Sequence, residues 1–524
     1  MRWSPIGLIW AAVMFSGCLG SDPSKTAPVR LQILATADVG SDTEVCGCRI
    51  KKLGGLSRRA RVIEDRIRTF DGPTLVVDAG DVFFRRWSTP PRYRAQARRT
   101  AALHADALSR WKVPAMAVGE RDLAFGLQTL RSLASRANVT LLSANLISVN
   151  GQTRPFASHI IVPVDGLKVG FVGASATLVD DPARQVYAAA GLRALPEGPA
   201  VLEAARAARS AGADFVVGLL HIGEARAIDL LDSLPSDSLD FAIVGHDRAV
   251  SPLRLNAGRR RGFVQAGERG KWVVAIEAEI RPGAQQVVDD GLLNTHRRQR
   301  EELDRAIEAA RDSSRKERLV RRRARLDQTE HQPSQPGHHL HVDLIEVSED
   351  LDVSPSMQTL YAAYQTELAA LADVDVTSGQ LHYVGSKACG QCHERAFAHW
   401  KKTGHARAWK TMVRTRQTSN LDCVGCHVTG FERAGGPRRL VDLKPFRNVG
   451  CEACHGPGSA HAENPEMALD YPDSVPEQVC AECHRIQADQ KPFVYTERLR
   501  DVLGVGHGSD ELTAGQEASR RRRR

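Results

Sequence analysis

The sequence predicts a layered α/β sandwich over residues 30–282, followed by a second domain with little regular structure over residues 382–510. Short apolar, β-rich runs alternate with helical patterns throughout the first region. From Val384 to Gln490 no sustained apolar periodicity is found, so this part cannot bury enough side-chain surface to offset its chain entropy. The length of 524 residues also favours more than one core.

The strands and helices of the first region follow from its local patterns. Apolar runs rich in β-forming residues are separated by stretches with apolar residues at helical spacing. Strands are predicted at LQILATA, PTLVVDA, VPAMAVG, VTLLSA, LKVGFVGA, DFVVGLL and DFAIVG, and helices at about 53–69 and 93–111.

Potential metal ligands stand at the ends of these apolar runs. They are Asp38, Asp81, Glu120, His221 and His246. We expect the five side chains to meet along one edge of the sheet, where α/β folds place their sites. Carboxylate and imidazole together suit a divalent ion such as Mn, Zn or Fe. The sequence therefore predicts a metal site, although each residue alone could be a helix cap or a surface group.

The order of these residues resembles that of the calcineurin-like metallophosphoesterases, especially their 5′-nucleotidase branch. The similarity covers roughly residues 30–280 and includes GGLSRRARVIEDRI at 54–67 and VVDAGDVF at 76–83. The resemblance implies a pair of metals that activates water and holds a phosphate. The family pattern is Asp-x-His, Gly-Asp, Gly-Asn-His-Asp/Glu, a lone His and Gly-His-x-His.

The departures from that pattern fall mainly on one of the two metal positions. One position would keep Asp81, Glu120, His221 and His246. The other would keep Asp38 and Asp81 but lose both imidazoles. Arg121 also replaces the histidine that would assist the leaving group, and an arginine cannot act as an acid near neutral pH. We therefore expect a one-metal or metal-free, non-hydrolytic domain and assign no catalytic residue.

Two cysteines on the loop after Asp38 offer a further hypothesis. Only one residue separates Cys46 from Cys48, so a bond between them would be strained. One thiolate could replace a missing imidazole at the depleted metal position. The alternative is a free or externally bridged pair on a loop.

The C-terminal region repeats one short motif four times. Eight of the eleven cysteines form C-x-x-C-H sequences. Their residues are Cys389, Cys392 and His393; Cys423, Cys426 and His427; Cys451, Cys454 and His455; and Cys480, Cys483 and His484. Two thiols reach the two vinyl groups of one porphyrin, and the adjoining histidine binds its iron. Neither zinc sites nor disulfides require that histidine. The sequence predicts four covalent c-type haems, which would supply the missing core.

The other axial ligands must come from histidines outside the motifs. We expect His405, His461 and His507 to be distal ligands, whereas His399, next to Trp400, is expected to pack. Three candidates for four irons leave either one open iron or one ligand that is not recognised.

Three stretches of this region resemble the tetrahaem cytochromes c of the c-554 type. They are DCVGCHVTGF, NVGCEACHGPG and KTGHARA, and the similarity covers about residues 382–490. The resemblance implies electron transfer among closely packed haems, mostly with histidine on both faces. The resemblance weakens after His484, so the prediction that His507 is a distal ligand rests on its residue type alone.

The N-terminus predicts export. Residues 1–18 carry Arg2, an apolar stretch and small residues before Cys18, as in a bacterial lipoprotein signal. Cys18 would become the lipidated first residue, attached to the membrane and followed by a tether over 19–29. An ordinary cleaved signal is the alternative. Both interpretations predict an exported protein, periplasmic or anchored to the outer membrane.

The net charge of +9 is concentrated in one charged stretch and in the tail. Residues 283–341 are predicted as one solvated helix followed by a linker, 342–381 as a helical connector that docks against the haems, and 511–524 as a basic tail. No nucleic-acid motif accompanies the charge, so we expect no nucleic-acid partner.

These features predict an exported multihaem cytochrome that passes electrons between redox partner proteins of the cell envelope. Its metallophosphoesterase-like domain would bind or dock rather than hydrolyse. Two alternatives remain open. One is a metal-dependent phosphoesterase of 5′-nucleotidase type with accessory haems, and the other is small-molecule redox chemistry at an open haem iron.

Overall fold

The structure, a computed structural model, describes most of the chain. The described residues are 27–46, 52–89, 93–151, 153–177, 184–235, 237–255, 261–329, 337–371, 381–467, 469, 475–484, 494–504 and 507. The predicted signal, Cys18, Cys48 and the basic tail lie outside them, as does the side chain of Cys46. No helix in the described ranges is long and apolar enough to cross a membrane.

The N-terminal region is built on two main sheets. The strands are β1 (Val29–Thr36), β2 (Val45–Cys46), β3 (Leu53–Gly54), β4 (Thr74–Asp78), β5 (Ala115–Ala117), β6 (Thr140–Leu142), β7 (Leu146–Ser148), β8 (His159–Val164), β9 (Leu167–Ser175), β10 (Leu192–Ala194), β11 (Phe215–His221), β12 (Phe241–Gly245), β13 (Val250–Leu255), β14 (Gly262–Ala266), β15 (Trp272–Ile280), β16 (Val287–Asp289) and β17 (His338–Glu346). One sheet has the order β16-β17-β15-β1-β4-β5-β6 and the other β13-β14-β12-β11-β9-β8.

Most helices of this region lie over the outer faces of the sheets, whereas the eighth packs against the seventh. They are α1 (Leu56–Thr69), α2 (Arg94–Arg110), α3 (Leu127–Ala137), α4 (Arg184–Ala189), α5 (Glu197–Ser210), α6 (Glu224–Ser233), α7 (Asp290–Ala309), α8 (Ser313–Thr329) and α9 (Pro355–Ala370). The first two agree with the helices that the sequence predicts.

The apolar core lies in three layers because strand side chains alternate between faces. Ile33 and Val77 point between the two sheets and pack with Val217 of the facing sheet. Leu34 and Val76 point the other way, toward α1, α2, α3 and α9. A third cluster joins the second sheet to α5 and α6. The predicted α/β sandwich is confirmed.

The parallel strands fix where a site can form. β1, β4, β5 and β6 run parallel in one sheet, as do β9, β11, β12 and β14 in the other. The carboxyl ends of these strands therefore lie together at one edge of the sandwich.

The structure departs in two places from the solvated helix and linker predicted over 283–341. α7 and α8 form two helices instead of one, because Asp312 begins α8 by accepting from the backbone N–H of Arg315 at 2.6 Å. β17 then pairs with β15 and places Leu340 in the core between the sheets. His338, which the sequence assigns to the linker, is buried. The sandwich therefore extends to Glu346.

The C-terminal region consists of short helices and irregular chain. The helices are α10 (Ser386–Cys392), α11 (Glu394–Trp400), α12 (Ala408–Arg414), α13 (Leu421–His427), α14 (Glu452–His455), α15 (Ser459–Glu463), α16 (Glu477–His484) and α17 (Tyr495–Val502). Its side-chain core is one small cluster around Met412, Leu421, Val424 and Leu443. The prediction of little regular structure here is confirmed.

Candidate metal centre and haem-binding domain

The five predicted ligands of the N-terminal region lie together at the sheet edge. Asp38 follows β1, Asp81 follows β4, Glu120 follows β5, His221 ends β11 and His246 follows β12. All except His246 are buried. Their donor atoms form two groups, which share His221.

A carboxylate and two imidazoles form the first group. His221 Nε2 lies 3.0 Å from Glu120 Oε2, and His246 Nδ1 lies 3.3 Å from the same oxygen. The two imidazole nitrogens are 3.4 Å apart. Donor atoms about 2.1 Å from one zinc ion at tetrahedral angles would be about 3.4 Å apart. The group therefore fits a divalent ion, and His221 Nδ1 lies 2.9 Å from Ala79 O, which orients the ring.

The second group, Asp38, Asp81 and His221, already contains a cation. Arg121 Nη2 donates to Asp38 Oδ1 at 2.6 Å, and Arg121 Nε donates to Asp81 Oδ2. The backbone N–H of Arg121 also donates to Asp81 Oδ1 at 2.7 Å. The guanidinium thus lies beside Asp38 and Asp81, the two carboxylates of the predicted metal position that lacks imidazoles.

Asp122 holds the loop that carries Asp81. Its carboxylate accepts backbone hydrogen bonds from Asp81 at 2.8 Å, Phe83 at 2.9 Å and Gly119 at 3.1 Å. A Cβ at Gly119 would lie 2.1 Å from Asp81 Oδ1, so this position requires glycine. No role could be assigned to Asp122 from the sequence, because its partners are backbone groups that no motif records.

The electrostatics of the centre favour a bound cation. Burial disfavours the Glu120 carboxylate, yet hydrogen bonds from His221 and His246 hold its pKa well below the usual range. Burial opposes protonation of His221, but the Asp81 and Asp38 carboxylates raise its pKa well above the ordinary value. Burial raises the pKa of Asp38 to about 6, against the charges of His221 and Arg121. A metal ion would displace the proton on His221.

The hypothesis of a thiolate ligand stays a prediction. The backbone of Cys46 pairs with Leu53 in a two-stranded ladder. Its side chain and the whole of Cys48 lie outside the described residues. At the predicted metal position that lacks imidazoles, the structure shows the guanidinium of Arg121 bound to Asp38 and Asp81.

Histidine rings in the C-terminal region stand in facing pairs. The ring centres of His393 and His461 are 6.0 Å apart, and those of His405 and His484 are 6.1 Å apart. Two imidazoles that bind one metal from opposite sides, at about 2.0–2.1 Å for each nitrogen, have ring centres about 6 Å apart. Each pair joins one motif histidine to one of the predicted distal ligands. This spacing fits an axial pair on one haem iron.

The third predicted distal ligand has a different neighbour. The ring of His507 lies 6.5 Å from that of His399, at 70°. Burial lowers the pKa of His507, with a contribution from the motif residue His455. His399 therefore belongs to the same cluster. The sequence favours a packing role for it because it adjoins Trp400, whose indole packs on Phe397.

The second motif faces the N-terminal domain. His427 Nδ1 donates to the carbonyl of Ala408 at 2.9 Å, which leaves Nε2 for an iron. Within the described ranges no other histidine ring stands opposite it. Cys423, Cys426 and His427 line a cleft whose far wall comes from the first domain.

Thiols of different motifs lie close to each other. Cys389 is in hydrogen-bond contact with Cys451, and Cys426 with Cys483. None of the eight motif thiols forms a disulfide. The porphyrin edges that these thiols would hold therefore approach one another.

Comparison with known proteins bears on both parts of the chain. Residues 388–456 match the family model described as cytochrome c554 and c-prime. This stretch, which contains the first three C-x-x-C-H motifs, is similar to that family. A cytochrome c-554 of Nitrosomonas europaea (strain ATCC 19718) is 38% identical over 89 residues, which cover 13% of this chain and 38% of that protein. The similarity thus spans well under half of the relative.

Solved structures that resemble this chain include a sulfate thiohydrolase and two nucleotidases. A sulfate thiohydrolase SoxB from Thermus thermophilus gives a TM-score of 0.48 at 14% identity, covering 66% of this chain and 62% of that one. A 5′-nucleotidase precursor from the same species gives 0.46 at 18% identity, with coverages of 80% and 72%. The NAD nucleotidase NadN of Haemophilus influenzae gives 0.46 at 16%, with coverages of 74% and 69%.

Proposed function

We propose that this chain is an exported cytochrome that binds four haems and carries electrons between redox partner proteins of the cell envelope. The observation that carries the proposal is the spacing of the pairs His393–His461 and His405–His484, which fits axial ligands on both faces of an iron. The contacts between thiols of different motifs support short distances between haems. A haem supplies one-electron chemistry, and the protein supplies ligands, spacing and exclusion of water.

The N-terminal centre supports binding of one divalent ion rather than two-metal hydrolysis. Glu120, His221 and His246 offer three donors, whereas Arg121 holds Asp38 and Asp81. A two-metal mechanism needs ions on both the attacking and the leaving oxygen. We therefore propose that this domain binds without hydrolysing phosphoesters. Export and lipidation of Cys18 remain part of the proposal and rest on the signal-like N-terminus.

Electron transfer is tested by mixing the reduced full-length protein with an oxidised small cytochrome c in a stopped-flow spectrometer. We expect rapid oxidation of all four haems. A protein that contains its haems but exchanges no electrons would overturn the proposal. Nucleotide monophosphate hydrolysis that requires added Mn²⁺ or Zn²⁺ and disappears in His221→Ala would instead favour the phosphoesterase.

A second candidate is small-molecule redox chemistry at the iron of the second motif. It is favoured by the cleft beside His427, where the described residues place no second imidazole opposite that ring. A high-spin haem signal that changes on addition of nitric oxide, hydroxylamine or nitrite would support it. No change with any of the three would remove it.

A further inference from the structure

The cleft beside the second motif is formed by both domains. From the C-terminal domain it is lined by Cys423, Cys426 and His427. From the N-terminal domain it is lined by residues that follow β1 and β4 and by the start of α2. These include Asp42, Arg85, Arg86, Tyr93 and Gln96.

A buried glutamine fixes the relation between the two walls. Gln96 on α2 is 5% exposed and donates to the carbonyl oxygens of Ser419 at 2.9 Å and Leu368 at 3.0 Å. Its Oε1 accepts from the backbone N–H of Leu421, the first residue of α13, at 3.0 Å. A buried amide with all these partners resists displacement, because separation would leave several polar groups unpaired.

Two further contacts join the same two walls. Tyr93 donates to Glu432 Oε2 at 2.7 Å, and Arg86 Nη2 lies 3.5 Å from Asp422 Oδ1. Asp422 immediately precedes Cys423 on α13. The start of the helix that carries the second motif is therefore held against the N-terminal domain, as is Glu432 beyond the end of that helix.

The arginines of the first domain lie beside the motif. Arg85 and Arg86 line the same cleft as Cys423, Cys426 and His427. Arg85 Nη1 also lies 3.9 Å from Asp42 Oδ1, and the other carboxylate oxygen of Asp42 forms an ion pair with Arg269. Both arginines are thus held near the place where the porphyrin would attach.

We propose that the haem attached to Cys423 and Cys426 is seated between the two domains, and that Arg85 and Arg86 of the N-terminal domain raise its reduction potential. The inference rests on the proposed haem attachment. Positive charge beside a haem favours the added electron. The N-terminal domain would then have a role that requires no hydrolysis.

The loop from Asp38 to Asp42 joins this cleft to the metal centre. Asp38 binds Arg121, and the backbone N–H of Arg269 donates to the carbonyl oxygen of Asp38 at 2.7 Å. Arg269 in turn binds Asp42 at the cleft. The segment from Asp38 to Asp42 therefore contributes both to the candidate metal centre and to the cleft in which the haem is proposed to lie.

The test is a potentiometric titration of the full-length protein with its haems attached. We compare wild type with the double variant Arg85→Gln/Arg86→Gln. The control, Arg110→Gln/Arg131→Gln, removes the same charge from exposed positions on α2 and α3. In the cleft variant we expect one of the four reduction steps to move to lower potential by up to a tenfold change in its equilibrium, about 59 mV for one electron. The other three steps and the control should not move.

A second variant separates charge from structure. Arg85→Lys/Arg86→Lys keeps the charge and should restore the wild-type potential if the effect is electrostatic. Four haems by pyridine haemochrome together with four unchanged steps in the glutamine variant would overturn the inference while leaving the cytochrome function intact. A glutamine shift that lysine does not restore would also overturn it. Fewer than four haems in the wild type would count against the proposed function instead.

Discussion

The guanidinium of Arg121 donates a hydrogen bond to Asp38 at 2.6 Å and holds Asp81 with its Nε. Asp38 and Asp81 are the two carboxylates that remain at the depleted metal position. A side-chain cation therefore stands beside the two carboxylates that a second metal ion would need. The neighbouring donors, Glu120, His221 and His246, keep a spacing that one divalent ion can use.

Replacement of Arg121 should destabilise the N-terminal domain. Arg121→Met leaves the buried carboxylates of Asp38 and Asp81 without their partner, so we expect the free energy of unfolding to fall by about 3 kcal/mol. Because a bound cation would compensate these carboxylates, Mn²⁺ should restore part of the loss. Urea unfolding with and without Mn²⁺ measures both effects.

The control is Arg226→Met, which removes an exposed ion pair with Glu197 at 3.1 Å. It should cost less than about 1 kcal/mol and should not respond to Mn²⁺. Equal losses in the two variants would contradict the assigned role of Arg121.

Metal content should depend on the imidazole pair. We expect the wild type to bind one Mn²⁺ or Zn²⁺ in addition to haem iron, and His221→Ala or His246→Ala to bind it at least tenfold more weakly, because each removes one of three donors. Isothermal titration with each metal measures the affinity. His159→Ala, outside the centre on β8, serves as the control. Two ions per wild-type chain, or unchanged binding in both centre variants, would count against a one-ion site.

Acid should destabilise the fold partly through His104. Burial, reinforced by the charge of Arg59, lowers the pKa of His104 to about 3, and its Nδ1 lies 3.3 Å from Arg59 Nη2. In the unfolded chain its pKa is about 6.5. Between these values only the unfolded chain takes up the proton, so stability is full above about pH 6.5 and is lost as the pH falls.

We expect the wild type to lose about 1.6 kcal/mol from this residue between pH 6.5 and 5. Denaturant midpoints at the two pH values, measured for wild type and His104→Gln, test it. The variant should be less stable at pH 6.5 but should show a smaller decrease on acidification. Identical pH dependence in both proteins would show that His104 does not contribute.

Removal of one ring from a histidine pair should leave one haem iron with a free coordination position. His405→Ala and His461→Ala should each convert one low-spin haem to a high-spin form, because each ring faces a motif histidine at about 6 Å. Low-temperature electron paramagnetic resonance detects the change. His382→Ala, an exposed histidine of the same domain, should leave the spectrum unaltered. A spectrum in either pair variant that matches wild type would contradict the proposed axial pairing.

The location of the metal centre could be predicted from the sequence because the carboxyl ends of parallel strands lie at the same edge of a sheet. This placed Asp38, Asp81, Glu120, His221 and His246 together without knowledge of any contact. The pairing of Arg121 with Asp38 could not be predicted, since it depends on the direction of a side chain 83 residues away. Asp122 could not be recognised because its partners are backbone amides.

Two other features depend on partners that are distant in the chain. β17 reads as a linker in the sequence because its three histidines obscure the alternation of Leu340 with its apolar neighbours, and only the edge of β15 makes it a strand. His399 reads as a packing residue because of its aromatic neighbour, whereas its proximity to His507 arises from folding over more than a hundred residues. The four C-x-x-C-H motifs could be recognised because their chemistry is local.

The presence of four haems is tested most directly by the intact mass of the protein purified after expression with a haem-attachment system, together with its pyridine haemochrome. We expect four covalently bound haems per chain, and three in Cys423→Ala/Cys426→Ala. A colourless protein whose mass shows nothing added at the motif cysteines would contradict this expectation.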